Sequence, residues 1–478
     1  FGIVDYVLAY LILMGLAMPL GILAAAAAYQ FTRRVDLSLV LFAALAALSL
    51  TVWADNWQLC WLNPCVWALS DDFSNFRIFR SVGYMRLTWL VALSGVWTIS
   101  WLCVRQYGKG LLGSLIWSVR RAYRPAVALI LLVFSGIAYA AQPMVDNSNP
   151  DETAMLFYEV PYAEEVVCTG RTAEVFPDVN SGTLSGYAAY QFQNSSGQEQ
   201  RVAFGINPGY TISNVQANGL DVPFSVSDYQ EYNEAMLEVT IPADKHVELT
   251  MEYGRFPQES ANMSTMQGST EISEEYLCLE NATLSPRLMN VLPDENMYPT
   301  TIEITLPSSM TVIPFGNSNA QVVTEHENGT KTWHYEGNST GGIVYAGNYI
   351  REDVVVDGFT IEFYYGRKHQ AVMEAAGAVE AIKSVVDYCV EHYGYLSFGA
   401  DNKLKLIQSR VSGGGYAAGG ASLLDEADFT SENLSNADKG AGTGEVMIHE
   451  LVHQWWGLGN MFDVSDSSSL WSAEGLTV

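Results

Sequence analysis

The amino-terminal part of the chain is dominated by four apolar stretches without a charged side chain. They cover about residues 6–32, 37–54, 87–104 and 125–145. Each is long enough to cross a hydrocarbon core of about 30 Å. A helix buried in a soluble protein seldom stays free of charge for so long, and four in succession argue against a soluble fold. The sequence therefore predicts an all-α transmembrane region over residues 1–145, embedded in the lipid bilayer of a cell membrane.

The lysines and arginines indicate how these spans are oriented. Residues 105–124 hold five basic side chains and no acidic one, so we expect this segment in the cytoplasm. Arg33 and Arg34 place the first connection on the same side. The loop over residues 56–85 and everything after residue 145 are then expected outside the cytoplasm.

The balance of charge changes at the same boundary. Residues 1–145 carry a net charge of +5 and residues 146–478 one of −33, which together give −28. A surface this acidic offers no footprint for nucleic acid and would be repelled by anionic lipid headgroups. The sequence therefore predicts a soluble extracytoplasmic portion after residue 145 and excludes nucleic acid as a partner.

Residues 146–357 are predicted to form a β-rich domain. Alternating or β-branched runs, separated by Gly, Asn, Asp and Pro, cover residues 202–206, 237–242, 247–253, 301–307 and 321–325. Asn328-Gly329 favours a hairpin with a type I′ turn, because both residues tolerate positive φ angles. Cys168 and Cys278 could form a disulfide in this domain.

Residues 358–478 are predicted to begin a further domain. A strand is expected over 359–365, and apolar side chains at a 3.6-residue period then predict a helix from Val372 to Tyr393 that ends at Gly394. A strand over 403–408 should lead into a glycine-rich segment. This segment is not a phosphate-binding loop, because no Gly-Lys-Ser/Thr follows it.

The most specific motif of the chain is HELVH, residues 449–453. On a helix, two histidines four residues apart lie on one face, where both can reach a single metal ion. The glutamate between them, Glu450, can act as a general base on a water molecule instead of binding metal. This pattern predicts a hydrolytic zinc site with His449 and His453 as ligands.

A third ligand is needed, because a catalytic zinc usually has three protein ligands and one open position. Glu474 is the expected third ligand, since it follows on what looks like a second helix beside the first. Asp463 and Asp466 are nearer in sequence, but their Ser-rich stretch is typical of a loop.

The two segments HELVHQWWG and WSAEG together resemble the gluzincin zinc aminopeptidases of the aminopeptidase N type. The resemblance implies that His449, His453 and Glu474 bind one Zn²⁺ and that Glu450 is the general base of peptide hydrolysis. It also implies a saddle-like β domain followed by a thermolysin-like α/β-α catalytic domain, which this chain would hold only in its amino-terminal part, residues 358–478. The specific part of the resemblance covers about residues 405–478.

The chain departs from the family pattern in three places. Twenty residues separate His453 from Glu474, where the family has eighteen. The family's G-x-M-E-N signature, whose Glu binds the substrate's free α-amine, is replaced by a glycine-rich segment without an acidic residue. The family's transition-state-stabilising Tyr lies further downstream, and this chain stops at Val478.

The glycine-rich segment is the expected substrate-binding element. In the related fold the equivalent stretch is an edge strand that holds the substrate backbone, and glycine permits such close approach. A flexible loop is the alternative. The predicted substrate-binding residues are Gly415, Tyr416, Ala417, Ala418, Gly419 and Gly420.

These features predict a membrane-anchored zinc metallopeptidase that acts on peptides or proteins on the extracytoplasmic side, with amino- or endopeptidase specificity left open. The helices also look somewhat like the permease of an ABC transporter. The alternative is therefore a permease subunit with an ATP-binding partner, a peptide-recognition ectodomain and a zinc site that is not catalytic. A protease that cuts within the bilayer is disfavoured, because His449 lies about 300 residues beyond the last span.

Overall fold

The computed structural model describes residues 3–54, 56, 58–64, 69–70, 72–73, 75–102, 104, 108–120, 123–141, 162–227, 234–257, 270–291, 298–338, 342–356, 358–396, 403–410, 415–436, 438, 444–458, 474–475 and 477. These residues divide into two compact units. The first holds the described residues up to 64 and those of 75–141. The second holds residues 69, 70, 72 and 73 together with the described residues from 162 onward.

The first unit is helical. Its helices are α1 (Ile3–Ala9), α2 (Ala17–Thr32), α3 (Val35–Leu50), α4 (Phe76–Leu102), α5 (Leu111–Val119) and α6 (Tyr123–Ala140). A π-helical segment, Tyr10–Gly15, joins α1 to α2, so helical structure runs almost without interruption to Thr32. Among the described residues, three helical stretches are long and apolar enough to cross a membrane: Ile3–Thr32, Ile78–Leu102 and Tyr123–Ala140. The helix α3 is equally apolar but has only 16 residues.

Two features of the first unit differ from the sequence prediction. The helix α4 begins at Phe76, so residues 76–85 are helical although they fall in the predicted loop. Arg86 is accommodated there because its guanidinium donates hydrogen bonds to the carbonyl oxygens of Trp61, Leu13 and Leu62. The short helix α5 was not predicted; it forms in the connection that we expected from its basic residues to be cytoplasmic.

The second unit is rich in β-structure. Its strands are β1 (Val166–Asp178), β2 (Thr183–Asn194), β3 (Gln200–Ile206), β4 (Tyr210–Ala217), β5 (Leu220–Asp221), β6 (Phe224–Ser227), β7 (Ala235–Ile241), β8 (His246–Arg255), β9 (Glu271–Ile272), β10 (Tyr276–Glu280), β11 (Arg287–Leu288), β12 (Pro299–Pro307), β13 (Thr311–Pro314), β14 (Gln321–Glu325), β15 (Thr330–Asn338), β16 (Ile343–Gly347), β17 (Tyr349–Val356), β18 (Phe359–Gly366), β19 (Lys403–Ser409), β20 (Tyr416–Ala418) and β21 (Ala421–Asp425). All five runs predicted as strands between residues 202 and 325 are confirmed.

The first sixteen strands form three sheets. The largest has eight strands in the order β14-β15-β12-β1-β2-β8-β4-β5, and the two smaller sheets have the orders β13-β16-β10-β9 and β11-β3-β7-β6. In the large sheet, β1 and β12 are parallel and their other neighbours are antiparallel. Strands β1 and β2 alternate buried and exposed side chains along much of their length, because one face of the sheet covers a shared apolar core.

Two details of this region correct the sequence prediction. The β14–β15 hairpin does form, but of the turn pair Asn328-Gly329 only Gly329 has a positive φ angle, 82°. A type I′ turn needs positive φ at both positions, so this is a longer loop closed by a single left-handed glycine. Among the described residues, Cys168 and Cys278 are buried as thiols and are not joined in a disulfide.

The last five strands form one mixed sheet in the order β17-β18-β19-β21-β20. Strands β18, β19 and β21 are parallel, while β17 and β20 pair antiparallel at the two edges. Helices α8 (Gln370–Ala376), α9 (Ala378–Tyr393), α10 (Ser431–Ser435) and α11 (Glu445–Val452) follow or separate these strands; the short α7 (Asn281–Leu284) lies earlier in the chain. The helix predicted from Val372 to Tyr393 is thus confirmed as two helices, because Gly377 adopts a left-handed conformation (φ 67°) between them.

A short segment from between α3 and α4 in sequence packs inside the second unit. Phe73 is buried with its ring centroid 4.6 Å from that of Tyr276. The Asp72 carboxylate accepts hydrogen bonds from the backbone N–H of Lys368 and from Gln408, and its Oδ2 lies 2.8 Å from Nδ1 of His369. Asp72 and Phe73, which we predicted only as part of a loop, are therefore buried in the second unit, and Asp72 lies at the carboxyl ends of β18 and β19.

Candidate metal centre

The helix α11 holds the HELVH motif against the five-stranded sheet. It begins after Gly444, whose φ of 74° suits glycine, and Glu445 in its first turn complements the helix dipole. Met447 and Leu451, four residues apart, are buried in the core of this part of the unit. The same helical period places the histidines of the motif on a different face, away from this apolar stripe.

Trp455 fixes the carboxyl-terminal end of α11. Its indole N–H donates a hydrogen bond of 2.8 Å to the carbonyl oxygen of Gly394, and its ring packs beside Phe359. The last helical residue is Val452, but the backbone N–H of His453 still donates to the carbonyl of His449 at 3.1 Å. The two histidines therefore keep helical spacing although the helix ends between them.

The structure brings the three predicted ligands together. One ligand atom from each of His449, His453 and Glu474 lies within 4.8 Å of the other two. Oε2 of Glu474 is 3.2 Å from Nε2 of His449 and 3.5 Å from Nε2 of His453. The two imidazole rings are nearly perpendicular, at 84° with centroids 4.5 Å apart. Among the described residues this is the one group of three or more His, Cys, Asp or Glu side chains with such convergence.

Hydrogen bonds at the other ring nitrogens indicate which tautomers these histidines adopt. Nδ1 of His453 lies 3.2 Å from the carbonyl oxygen of Trp456, which can only accept, so Nδ1 carries the proton. Nδ1 of His449 lies 3.1 Å from the hydroxyl of Thr477. In neutral rings with the proton on Nδ1, the lone pairs of both imidazoles are on Nε2 and face the Glu474 carboxylate.

This donor set fits a divalent metal ion. Lone pairs of two imidazoles and a carboxylate repel one another unless a positive charge lies among them, and that charge is supplied either by protons on the rings or by a metal. Two His and one Glu are ligands that zinc accepts, and three protein ligands leave one position of a tetrahedral ion open. The Glu474 side chain is 59% exposed, so the cluster is accessible from solvent.

Glu450 lies beside this cluster and is buried. Burial, with the negative charges of Glu474 and Asp428, raises the pKa of Glu450 to about 7. The backbone of Gly415 approaches its side chain so closely that a Cβ at this position would overlap Cγ of Glu450. Glycine at 415 is therefore required for this approach.

The predicted substrate-binding segment is an edge strand where it is described. Tyr416, Ala417 and Ala418 form β20, the outermost strand of the sheet, and Gly419 and Gly420 make the turn into β21. The alternative of an irregular loop is thus wrong for residues 416–418; residues 411–414 lie outside the described chain.

Two side chains that were not predicted from the sequence, Gln454 and Ser422, fasten the β20–β21 hairpin to α11 and to the residues that follow it. The Gln454 amide accepts from the backbone N–H of Gly420 and donates to the carbonyl oxygens of Ala418 and Ala421. The Ser422 hydroxyl donates to the carbonyl oxygen of Glu450 at 2.8 Å. Gln454 follows Glu450 by four residues, about one helical turn. This spacing could have indicated that Gln454 faces the same strand as Glu450.

A loop from the preceding sheets covers the hairpin turn. The buried ammonium of Lys405 donates to the carbonyl oxygens of Pro314, Gly316 and Ser318, and burial lowers its pKa to about 8. Asn317 occupies the space into which a Cβ on Gly420 would project. Tyr416 stacks on Phe315 from the same loop, at 26° with centroids 5.8 Å apart.

The remaining candidate ligands cannot be placed. Asp463 and Asp466 lie outside the described residues, as does the segment that directly precedes Glu474. Thr477 was not predicted; its position three residues after Glu474 fits one turn of helix, but nothing in the sequence indicated its contact with His449.

A scan against models of known protein families matches none of them, and a search of the curated proteins finds no significant match. What this chain does must therefore be inferred from its own residues and their geometry.

Proposed function

We propose that this protein is a membrane-anchored zinc metallopeptidase of the gluzincin type, related to aminopeptidase N. The observation that carries the proposal is the convergence of His449, His453 and Glu474, with both Nδ1 atoms engaged elsewhere and both Nε2 atoms facing the carboxylate. The HELVH motif supplies two of these ligands and WSAEG the third, as the resemblance requires.

In this proposal His449, His453 and Glu474 hold one Zn²⁺. When bound, the ion would acidify water and polarise a peptide carbonyl. Glu450 would take the proton of the attacking water and then deliver it to the leaving amine.

The strand β20 would hold the substrate. As the edge of its sheet it has one side free of a strand partner among the described residues, and an extended peptide could pair there by strand addition. The same chain segment touches Glu450 at Gly415. A peptide on β20 would then run past the general base. A mixed sheet with an antiparallel edge strand next to the motif helix supports a thermolysin-like catalytic domain.

Specificity for amino termini depends on which groups bind the free α-amine of the substrate. Ala417 and Ala418 offer no carboxylate for a free α-amine, so the amine would have to be bound by other groups or not at all. The membrane helices would anchor the enzyme with its acidic second unit in the extracytoplasmic space, as the positive-inside rule favours.

The experiment uses two peptides of one sequence, one with a free amino terminus and one acetylated. The intact protein in detergent is assayed beside its Glu450→Gln variant, with zinc content measured for both. We expect zinc in both proteins and hydrolysis only in the wild type, with a loss of about 10²–10⁴-fold in kcat for the variant.

Each outcome has a distinct meaning. Cleavage of only the free peptide supports an aminopeptidase, and cleavage of both supports an endopeptidase. Retained turnover by Glu450→Gln would remove the general-base assignment. If the zinc-loaded wild type cleaves neither peptide, the peptidase proposal fails, and a recognition domain on a transporter permease becomes the better hypothesis.

A further inference from the structure

We propose that Thr477 is the positioning residue that keeps His449 in its metal-binding tautomer. This inference rests on the proposed zinc site and extends it beyond the three ligands. The Thr477 hydroxyl contacts two of the ligand residues at once: the imidazole of His449 and the main-chain carbonyl of Glu474.

The direction of the two hydrogen bonds follows from their partners. The Thr477 hydroxyl lies 2.7 Å from the carbonyl oxygen of Glu474, which can only accept, so the single hydroxyl proton points there. The hydroxyl oxygen can then only accept from Nδ1 of His449, 3.1 Å away. Nδ1 must therefore carry a ring proton, and in the neutral ring, which is the form that binds metal, Nε2 keeps its lone pair toward Glu474.

The surroundings of Thr477 strengthen this assignment. The residue is 4% exposed, so water cannot readily replace the hydroxyl as the partner of the ring. Thr477 also follows Glu474 by three residues, and the hydrogen bond from its hydroxyl to the Glu474 carbonyl spans one turn of the backbone. The hydroxyl thereby ties the position of the third ligand to the orientation of the first.

The two histidines differ in how their tautomers are fixed. Nδ1 of His453 faces a main-chain carbonyl, that of Trp456, which no substitution removes. Nδ1 of His449 depends on a side chain. A single substitution at Thr477 can therefore release one ligand and leave the other held.

Replacing Thr477 with Val keeps the shape of the side chain and removes the hydroxyl. Nδ1 of His449 then loses its acceptor, and the tautomer with the proton on Nε2, which cannot bind metal, becomes populated. Loss of such an outer hydrogen bond to a ligating histidine typically weakens metal binding about 10–100-fold. We expect an effect of this size for Thr477→Val, and little change for Thr477→Ser, which retains the hydroxyl.

The test is a competition titration of the intact protein in detergent with Zn²⁺ and a chromophoric chelator. Wild type, Thr477→Val and Thr477→Ser are compared, with thermal unfolding of each metal-free protein recorded beside the affinity. If Thr477→Val does not fold, Thr477→Ala removes the same hydroxyl without adding bulk. The expected result is weaker zinc binding in the hydroxyl-free variant, unchanged metal-free stability, and recovery in Thr477→Ser.

Equal zinc affinity in wild type and Thr477→Val would overturn the inference, as would loss of affinity in Thr477→Ser equal to that in Thr477→Val. A wild type that binds no zinc would overturn both the inference and the proposed function. A wild type that binds zinc but cleaves no peptide would remove only the peptidase proposal, because the affinities still report on Thr477.

Discussion

Two clusters in the second unit, the Asp72 cluster and the His449 cluster, each combine histidine with a carboxylate and are built in opposite ways. In the Asp72 cluster (Asp72, His369 and Gln408), both carboxylate oxygens receive N–H donors, and the Asp72 and His369 side chains are 3% and 11% exposed. In the His449 cluster (His449, His453 and Glu474), Nε2 of both histidines faces the Glu474 carboxylate, and Glu474 is 59% exposed.

The difference shows how a structural cluster is distinguished from a binding site. Buried polar groups in a folded protein are normally satisfied by partners within the protein, as they are around Asp72. Two imidazoles and a carboxylate that converge at the surface need a positive charge among them, which either ring protons or a metal ion from outside can supply. Residue type alone would have placed both clusters in one class.

The largest expected effect comes from exchanging one histidine in each cluster for alanine. A zinc site gains about 10–16 kcal/mol from its full ligand set, so His449→Ala should weaken Zn²⁺ binding by about a thousandfold or more. His369→Ala should leave zinc affinity unchanged and lower the thermal midpoint, since it deprives buried Asp72 of a partner at a cost of about 1–3 kcal/mol. Chelator competition and thermal unfolding check both variants. Loss of zinc binding in His369→Ala would contradict the conclusion that the Asp72 cluster is structural and the His449 cluster binds metal.

A second prediction concerns the strand next to Glu450. Gly415→Ala should lower kcat about 10–100-fold without loss of zinc, because the new Cβ would displace the general base while the ligands stay in place. Gly170→Ala is the control: it lies outside the predicted substrate-binding segment, and its added Cβ would make an ordinary contact at 3.8 Å with the Pro299 carbonyl. Peptide hydrolysis and metal content should be measured for both. Equal activity of the two variants would contradict the close approach at Gly415.

The third prediction tests how tightly the Asp72 cluster is packed. Gly366→Ala places a Cβ where the Asp72 carboxylate lies, so we expect a destabilisation of about 1–3 kcal/mol. The control is Gly170→Ala, whose Cβ would make an ordinary contact at 3.8 Å with the Pro299 carbonyl. Adding Asp72→Ala to Gly366→Ala should relieve the overlap, so the two losses in thermal stability should not add. Additive losses would show that the residues do not touch.

The smallest expected effect is a dependence on pH at Glu426, which accepts a hydrogen bond from Ser70 of the segment that carries Asp72. Burial raises the pKa of Glu426 to about 7, above its unfolded value near 4.5. Between these values the folded protein holds more protons than the unfolded chain, so this group's contribution to stability falls as the pH rises from 4.5 to 7. Glu426→Gln should therefore stabilise the protein by about 1–3 kcal/mol at pH 8 and by less at pH 5. Thermal midpoints at the two pH values test this; an equal shift at both would contradict it.

Local patterns predicted the elements of the fold well. The period of 3.6 that marks α9, the alternation in strands such as β8 and the apolar stretches of the first unit all depend on neighbours in sequence. The errors also have local causes. Gly377 ends one helix and begins the next, where apolar periodicity alone predicts a continuous helix. The basic residues at the start of α4 led us to predict a loop there. The helix nevertheless begins at Phe76, because Arg86 donates hydrogen bonds to carbonyl groups that are distant in sequence.

By itself, the sequence determined the helical, apolar character of the first unit, the β-rich character of the second, and the identity of the three converging side chains, because each depends on a short motif or a repeating period. Only the tertiary structure decided that residues 69, 70, 72 and 73 belong to the second unit, that Gln454 and Ser422 fasten the β20–β21 hairpin, and that Thr477 contacts His449. Asp72 and His369 are nearly 300 residues apart. Hydrogen bonds between groups so distant in sequence depend on the tertiary fold. They cannot be predicted from a repeating period or a short motif, because these describe only neighbours in sequence.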